Sequence, residues 1–221
     1  MALDLNHFIR LRPYLYHLTA RNNVAYIRQD MMLKSANTLF SDSGEATNDR
    51  EVRRGPRWVT IGGRKVHIRD QDPLHGGRIA FSAGWTLQDL VKHLDNHVFF
   101  WPGWSRGPVS SGMNHFERYR SERPVVLRVA TGELFEANRR GEPLFCKYNS
   151  GAPRCSMGNG SPRGPTVFLN AAQFDASPSS VVEVTFRSAV ILPPSVQAAG
   201  SLNGPWEPLK SFTSEDEQRT R

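Results

Sequence analysis

The sequence predicts an α+β domain that is mostly β-structure with a few short helices. Three features lead to this prediction: short Val-rich segments between turn residues, one strong amphipathic helix pattern, and 18 Gly and 15 Pro among 221 residues. Gly and Pro interrupt helices and favour tight turns, so long helices are not expected. We place a single domain at residues 1–196 and expect a polar, disordered C-terminal tail at 197–221.

Three elements are predicted in the N-terminal part. Tyr14–Thr19 alternates in polarity and is rich in strand-forming residues, which indicates a first strand. Asn22–Arg28 begins with Asn and has apolar residues at helical spacing, which indicates a short helix with an Asn cap. Trp58–Ile61 and Lys65–Ile68 flank two glycines and predict a hairpin.

The C-terminal part contains the best helix pattern and most of the remaining strands. Trp85–His97 carries Leu and Val on one face and begins with Thr86 as a cap. Strands are predicted at Val98–Trp101, which we expect Pro102 to terminate, at Pro124–Ala130 and at Val181–Phe186. Between the last two strands, Asn149–Ser180 is rich in Gly, Ser, Pro and Asn and is predicted to be a loop.

Composition excludes several classes of protein. No apolar run reaches the roughly 18 residues of a membrane span, and Met1–Arg12 lacks the order of a secretory signal, so we expect a cytoplasmic protein without membrane contact. Cys146 and Cys155 are too few for a disulfide scaffold, and without a CxxC motif or clustered His they predict reduced thiols and no metal site. The Walker, GxGxxG, HExxH and GxSxG motifs are absent.

The charge balance is strongly basic. The formal net charge is +7, and Arg supplies far more of it than Lys. The guanidinium group binds phosphate and carboxylate through two parallel hydrogen bonds, so a polyanionic partner is one interpretation. A basic surface that merely keeps the protein in solution is the other, and the charge alone supports both equally.

A few polar residues lie where a ligand could use them. His17 and Thr19 are two residues apart on one strand and therefore face the same side, and Asn23 begins the helix that follows. This arrangement could hold a ribose or a carboxamide, although a single buried His is also common in ordinary cores. Glu183 interrupts the apolar run Val181–Val184, so it either faces solvent or is held in a cleft.

These elements, in this order, resemble the DarT-type ADP-ribosyltransferase toxins. In that family a His-bearing strand is followed six residues later by an Asn, as His17 is by Asn23. An aromatic strand leading to an Arg is matched by Phe99–Trp101 and Arg106, and a flexible loop before a Glu and a Val-rich strand is matched by the segment ending at Glu183. The resemblance extends over residues 14–196 and rests on short matches.

The resemblance implies a fold, a donor and a set of residues. It implies an ADP-ribosyltransferase-like split antiparallel β-sheet and NAD as a consumed co-substrate. Glu183 would be the catalytic general base, and Arg106 would be the second catalytic residue. Because Arg106 lies in a Gly/Ser/Pro-rich loop, Arg53 and Arg54 stay open as alternatives. The residues that would bind NAD are His17, Thr19, Asn23, Tyr16, Phe100 and Trp101.

The resemblance also implies a nucleic-acid acceptor. The acceptor would meet Arg154, Arg163 and Tyr148 in and beside the 149–180 loop. A base must be unstacked to reach the anomeric carbon, which favours RNA or single-stranded DNA. A toxin or anti-phage effector with an antitoxin partner would follow. A protein acceptor, a non-catalytic nucleic-acid-binding protein and a phosphotransferase acting on 2′-phosphorylated RNA are the alternatives, although the last should show more Arg and His in fixed motifs.

A second resemblance rests on longer matching runs of residues. Ile68–Leu74, Val98–Trp101, Asn149–Gly151 and Arg163-Gly164 are similar to a family of bacterial domains of unknown function. A relationship to the phage-defence toxin CmdT, an RNA-modifying transferase, stays open without a match residue by residue.

Overall fold

The fold comes from a computed structural model that describes residues 2–45, 51–152 and 162–213. The helices in these ranges are α1 Leu5–Leu11, α2 Val24–Asp30, α3 Ala36–Ser43, α4 Leu87–Asp95, α5 Ser110–Tyr119 and α6 Thr131–Ala137. The strands are β1 Tyr14–Thr19, β2 Met32–Lys34, β3 Arg57–Ile61, β4 Arg64–Ile68, β5 His97–Trp104, β6 Gly107–Pro108, β7 Val125–Ala130, β8 Leu144–Cys146, β9 Glu183–Arg187, β10 Ala189–Ile191, β11 Gln197–Ala199 and β12 Glu207–Pro208. Every pairing between these strands is antiparallel. The chain is therefore α+β with a mostly antiparallel sheet, as predicted.

The main sheet has the strand order β12-β11-β7-β1-β5-β9-β8, with β6 on the end of β5. Strand β5 is shared between two halves of this sheet. Its residues 101–103 pair with β1, whereas residues 97–100 pair with β9. Strand β1 stops pairing with β5 after Tyr16 but continues to pair with β7 as far as Thr19. The sheet is thus divided beside β5, and the divided region holds the candidate site.

Several predicted elements are confirmed. Strand β1 has the predicted bounds, and β3 and β4 form the predicted hairpin. Helix α4 is capped by Thr86, as predicted: the Thr86 hydroxyl accepts from the backbone of Asp89, while the Asp89 carboxylate accepts from the backbone of Thr86. This reciprocal capping box fixes the first turn of the helix.

The predicted end of β5 was wrong. The strand continues through Pro102 to Trp104 instead of stopping before the proline. Proline removes a donor but keeps its carbonyl. That carbonyl accepts a hydrogen bond of 2.9 Å from the backbone N–H of Val109, so the strand can pass through this position.

The prediction of a disordered tail from residue 197 was also wrong for residues 197–213. Strand β11 pairs with β7, and the backbone N–H of Leu209 donates to Val196 at 2.9 Å. Ala198 and Leu209 are fully buried in the core that contains Leu15 of β1. These few apolar side chains are enough to fix a segment that is otherwise polar. Residues 214–221 lie outside the described ranges.

The core lies mainly on the face of the sheet covered by α1 and α6. Phe8 of α1 packs edge-on against Phe145 of β8, with ring centroids 5.5 Å apart. A second cluster joins the apolar face of α4, centred on Leu90 and Val91, to Phe168. Among the described helices, none is both long and apolar enough to cross a bilayer.

A buried ion pair connects the segment before the hairpin to the end of α4. The guanidinium of Arg53 binds the Asp95 carboxylate through both of its terminal nitrogens, one of them at 2.8 Å, and both side chains are at most 7% exposed. Gln71 donates to the same carboxylate at 2.9 Å. The three side chains fix the position of the hairpin relative to α4.

We expect Arg53→Met to lower the free energy of unfolding by about 3–5 kcal/mol, because it leaves the buried Asp95 carboxylate without its counter-ion. The neighbouring change Arg54→Met is the matched control. Arg54 is 51% exposed and stands 3.9 Å from Asp72, so its loss should cost less than about 1 kcal/mol. Urea unfolding measures both values, and equal effects would contradict the structural role of the Arg53 pair.

Candidate functional site

A cleft of about 500 Å³ opens where β1 and β5 separate. Its walls come from β1, from β4 and the residues after it, from β5, from α5 and from the loop before β9. The polar and aromatic residues most important here are His17, Thr19, Asn23, Arg69, Phe99, Trp101, His115, Tyr119, Ser150 and Glu183. Residues far apart in sequence therefore meet around one volume large enough for a small-molecule ligand.

Glu183 is the first residue of β9 and lies in the cleft with only 2% of its surface exposed. Its Oε2 atom accepts a hydrogen bond of 3.1 Å from the backbone N–H of Ser150. Burial raises the pKa of Glu183 to about 7, although hydrogen bonding from Ser150 and the charge of Arg163 act in the opposite direction. A carboxyl group that titrates near neutral pH can exchange protons with a substrate.

Arg163 holds the loop that supports Glu183. Its side chain donates to the backbone carbonyls of Ser150 at 3.2 Å and of Asn149 at 3.1 Å, and its guanidinium lies 4.2 Å from the centre of the Tyr148 ring. Arg163 is only 1% exposed. It therefore positions Ser150, and through Ser150 the carboxylate of Glu183.

His17 has a defined hydrogen-bonding role. Its Nδ1 atom lies 2.8 Å from the Phe99 carbonyl oxygen, which can only accept, so Nδ1 carries the hydrogen in the neutral ring. Nε2 is then an acceptor. Burial lowers the pKa of His17 to about 4, and the nearby charge of Arg69 adds to that effect. At neutral pH His17 can therefore accept a hydrogen bond from a ligand but does not supply a positive charge.

Asn23 lines the cleft, but its amide already has partners. Its Oδ1 accepts from the backbone N–H of His67 at 2.7 Å, and its Nδ2 donates to the His67 carbonyl at 2.9 Å. Nδ2 also lies 3.4 Å from the hydroxyl of Thr19. The side chain makes no cap hydrogen bond to α2, contrary to the sequence prediction. Asn23 therefore fixes β4 against β1, and its predicted role in binding a ligand is less well supported.

Arg69 follows β4 directly and is the cation that sequence reasoning missed. Its side chain is 15% exposed, and its guanidinium lies 4.0 Å from the centre of the Tyr119 ring. Within the described residues, the buried Nη1 and Nη2 atoms have no hydrogen-bond partner, and the Glu122 carboxylate stands 3.8 Å from Nη1. Burial lowers the pKa of Arg69, yet an arginine stays charged in proteins. The arrangement favours an anion in the cleft.

None of the three predicted arginines offers a free guanidinium to the cleft. Arg106 is exposed in the turn between β5 and β6 and does not line the cleft. Arg53 lines the cleft, but both of its terminal nitrogens already bind Asp95. Arg54 is exposed and donates to the Asp72 carbonyl. Two features of the sequence could have indicated Arg69. It lies within Ile68–Leu74, the segment similar to a family of bacterial domains, and it directly follows the predicted strand Lys65–Ile68.

Of the three aromatic residues predicted to bind NAD, one lines the cleft and two do not. Trp101 lines the cleft, its ring lies 4.5 Å from His115, and its buried Nε1 has no partner among the described residues. Phe100 and Tyr16 do not line the cleft and are each 1% exposed, although Tyr16 pairs with Trp101 and shares its face of the sheet. Phe100 packs against Phe186, and the hydroxyl of Tyr16 donates to the Trp104 carbonyl. The geometry therefore gives no support to their predicted contact with NAD.

The residues predicted to meet an acceptor do not form an open surface. Arg163 is buried, as described above, and so cannot contact a nucleic acid directly. Tyr148 is half-buried beneath it and donates its hydroxyl hydrogen to the Pro162 carbonyl. Arg154 lies outside the described residues, as does Cys155. Cys146 is buried in β8, and burial raises the pKa of its thiol.

No group of three or more His, Cys, Asp or Glu side chains within ranges 2–45, 51–152 and 162–213 is arranged to hold a metal ion.

The raised pKa of Glu183 predicts a pH-dependent stability difference. Its pKa is about 7 in the folded state and near 4.5 in a free carboxyl, so folding favours the protonated form and loses stability as the pH rises between these values. We expect Glu183→Gln to be more stable than the wild type by up to about 3 kcal/mol near pH 8, and equally stable near pH 4. Denaturant unfolding at both pH values tests this, with the exposed Glu142→Gln as control. A constant difference across pH would contradict it.

Residues 13–194 match DUF7002, which is described as a family of unknown function. No curated protein and no solved structure matches the chain. The matched range covers most of the 221 residues and includes every cleft residue from His17 to Glu183. The protein therefore belongs to the DUF7002 family.

Proposed function

We propose that the protein is an NAD-dependent ADP-ribosyltransferase that transfers ADP-ribose to a nucleic acid, either RNA or single-stranded DNA. The observation that carries this proposal is that three side chains line one cleft: a buried carboxyl, a neutral His and an Arg with terminal nitrogens available to a ligand. These are Glu183, His17 and Arg69. The divided antiparallel sheet is compatible with the ADP-ribosyltransferase-like core that the sequence resemblance implies.

The ends of the donor molecule match different walls of the cleft. The pyrophosphate of NAD needs positive charge. The Nη1 and Nη2 atoms of Arg69, which have no hydrogen-bond partner among the described residues, can donate to it bidentately. A ribose hydroxyl can donate to Nε2 of His17. The aromatic rings of Phe99 and Trp101 offer flat apolar surface for the nicotinamide or adenine.

Glu183 would act at the reacting carbon. When the glycosidic bond to nicotinamide breaks, its electron pair leaves with nicotinamide and positive charge develops on the ribose. A carboxylate nearby stabilises that charge and accepts a ribose hydroxyl hydrogen bond. The acceptor nitrogen then bonds to the anomeric carbon and loses its proton to Glu183. This step requires the deprotonated carboxylate, so activity should rise with pH through about 7.

We expect Glu183→Gln to reduce incorporation of label from NAD into RNA or single-stranded DNA by about 10²–10⁴-fold, because the general base is removed while the shape is kept. The exposed Glu142→Gln should retain wild-type incorporation. Circular dichroism of both variants checks that they fold. Full activity in Glu183→Gln would exclude the mechanism.

Arg69 and Arg106 can be separated by a matched pair of changes. We expect Arg69→Gln to raise the KM for NAD by about 10–100-fold, the effect of losing a charge-assisted hydrogen bond. Arg69→Lys should recover part of that loss, because it restores charge without the bidentate geometry. Arg106→Gln should leave KM unchanged, since the side chain is exposed outside the cleft. The reverse pattern would return the donor-binding role to Arg106.

The main alternative is the same transfer to a protein acceptor, which would make the basic surface incidental. Labelled NAD incubated with a cell lysate, followed by digestion with nuclease or with protease, distinguishes the two. Label released only by protease would favour the alternative.

A further inference from the structure

The β3–β4 hairpin presents an exposed aromatic ring beside the cleft. Trp58 is 47% exposed. Its ring meets the ring of His67 edge-on, with centroids 4.8 Å apart and an interplanar angle of 62°. His67 itself lines the cleft. The Trp58 ring therefore continues the cleft wall onto the outer surface of the protein.

The two faces of the hairpin differ. Trp58 pairs with His67 and Thr60 pairs with Lys65, so these four side chains share one face. On the opposite face, Val59 and Val66 are buried against the Tyr26 and Phe40 cluster. The hairpin is thus anchored through its apolar face and leaves the Trp58 face uncovered by the described residues.

The hairpin is also held in a fixed position relative to the catalytic residues proposed above. The bonds of 2.7 and 2.9 Å between Asn23 and the His67 backbone join β4 to the chain that follows β1. A molecule bound on the Trp58 face would therefore be held beside the cleft entrance rather than on a mobile arm.

The surroundings of Trp58 are basic. Of the 19 residues from 51 to 69, six are Arg or Lys and one is Glu. Lys65, on the same face as Trp58, is exposed and forms no ion pair with any described residue. An exposed aromatic ring beside an unpaired cation is the combination by which proteins bind single-stranded nucleic acid, where bases stack on rings and phosphates meet cations. Paired bases in a duplex do not expose their faces for such stacking.

We propose that this face of the hairpin is the binding surface for the single-stranded acceptor. One base stacks on Trp58, an adjoining phosphate lies against Lys65, and a neighbouring base reaches the cleft. The role of the bound nucleic acid as acceptor rests on the proposed transferase function, whereas its binding to the hairpin needs no NAD. It places the acceptor on the hairpin instead of the loop at 149–180.

The test is fluorescence anisotropy with labelled oligouridine and oligothymidine, without NAD, using the full chain. Trp58→Ala should weaken binding of at least one of them by about tenfold, and Trp58→Phe should keep most of the affinity because a stacking surface remains. Trp104→Ala is the matched control: Trp104 is 46% exposed at the far end of β5 and does not line the cleft. It should bind like the wild type.

Lys65→Gln gives an independent measurement. If Lys65 contacts a phosphate, this change should lower the slope of log affinity against log salt concentration by about 0.7 for a single strand. Unfolding midpoints of all variants check that the hairpin is intact.

Three results would overturn the proposal: an unchanged affinity in Trp58→Ala, an equal loss in Trp104→Ala, or tighter binding of duplex than of single strands. Turnover of NAD by the wild type, measured without nucleic acid, reports on the transferase separately. Trp58-dependent binding without NAD turnover would keep the binding surface and remove the proposed function. NAD turnover with binding independent of Trp58 would do the opposite.

Discussion

The hydrogen bond from His17 to the Phe99 carbonyl stands where β1 and β5 stop pairing. Backbone groups that leave a sheet need other partners, because an unpaired polar group away from water is costly. Here a side chain takes over from the backbone and lets the two strands separate. The same bond fixes the tautomer of His17. The same hydrogen bond therefore accompanies the separation of the strands and leaves Nε2 of His17 as a hydrogen-bond acceptor.

The opposite wall depends on a longer chain of contacts. Glu183 is buried at a cost, and the backbone N–H of Ser150 supplies part of the compensation. Ser150 is in turn held by Arg163, which approaches from a part of the sequence beyond the 149–151 turn. A loss of order around Arg163 would therefore release Ser150 and leave the carboxyl less constrained. Such support by a residue that never meets the ligand is common around reactive groups.

Features that depend on neighbouring residues in the sequence were predicted well, whereas features that depend on residues distant in the sequence were not. Local patterns were sufficient for the strand Tyr14–Thr19 and for the cap at Thr86, because their alternation and spacing are complete within a few residues. Asn23 was placed correctly beside the cleft, but its amide is used by His67, a partner 44 positions away that no local pattern reveals. Arg69 looked like one of many basic residues, since its burial involves packing against Tyr119, which is distant in sequence. The ordered segment around Leu209 was missed for the same reason, as its burial depends on the distant strand β7.

Among the described residues, the terminal nitrogens of Arg69 have no hydrogen-bond partner, and this has a consequence for the lifetime of the protein in a cell. A buried cation without hydrogen bonds is a local weakness of the empty fold. Any anion that completes its contacts adds its binding free energy to folding, in proportion to the logarithm of its concentration. The fraction of unfolded chains open to proteolysis would then fall as the anion becomes abundant and increase as it is depleted. A nucleotide pool that serves as substrate would in this way also set how much of the protein is present.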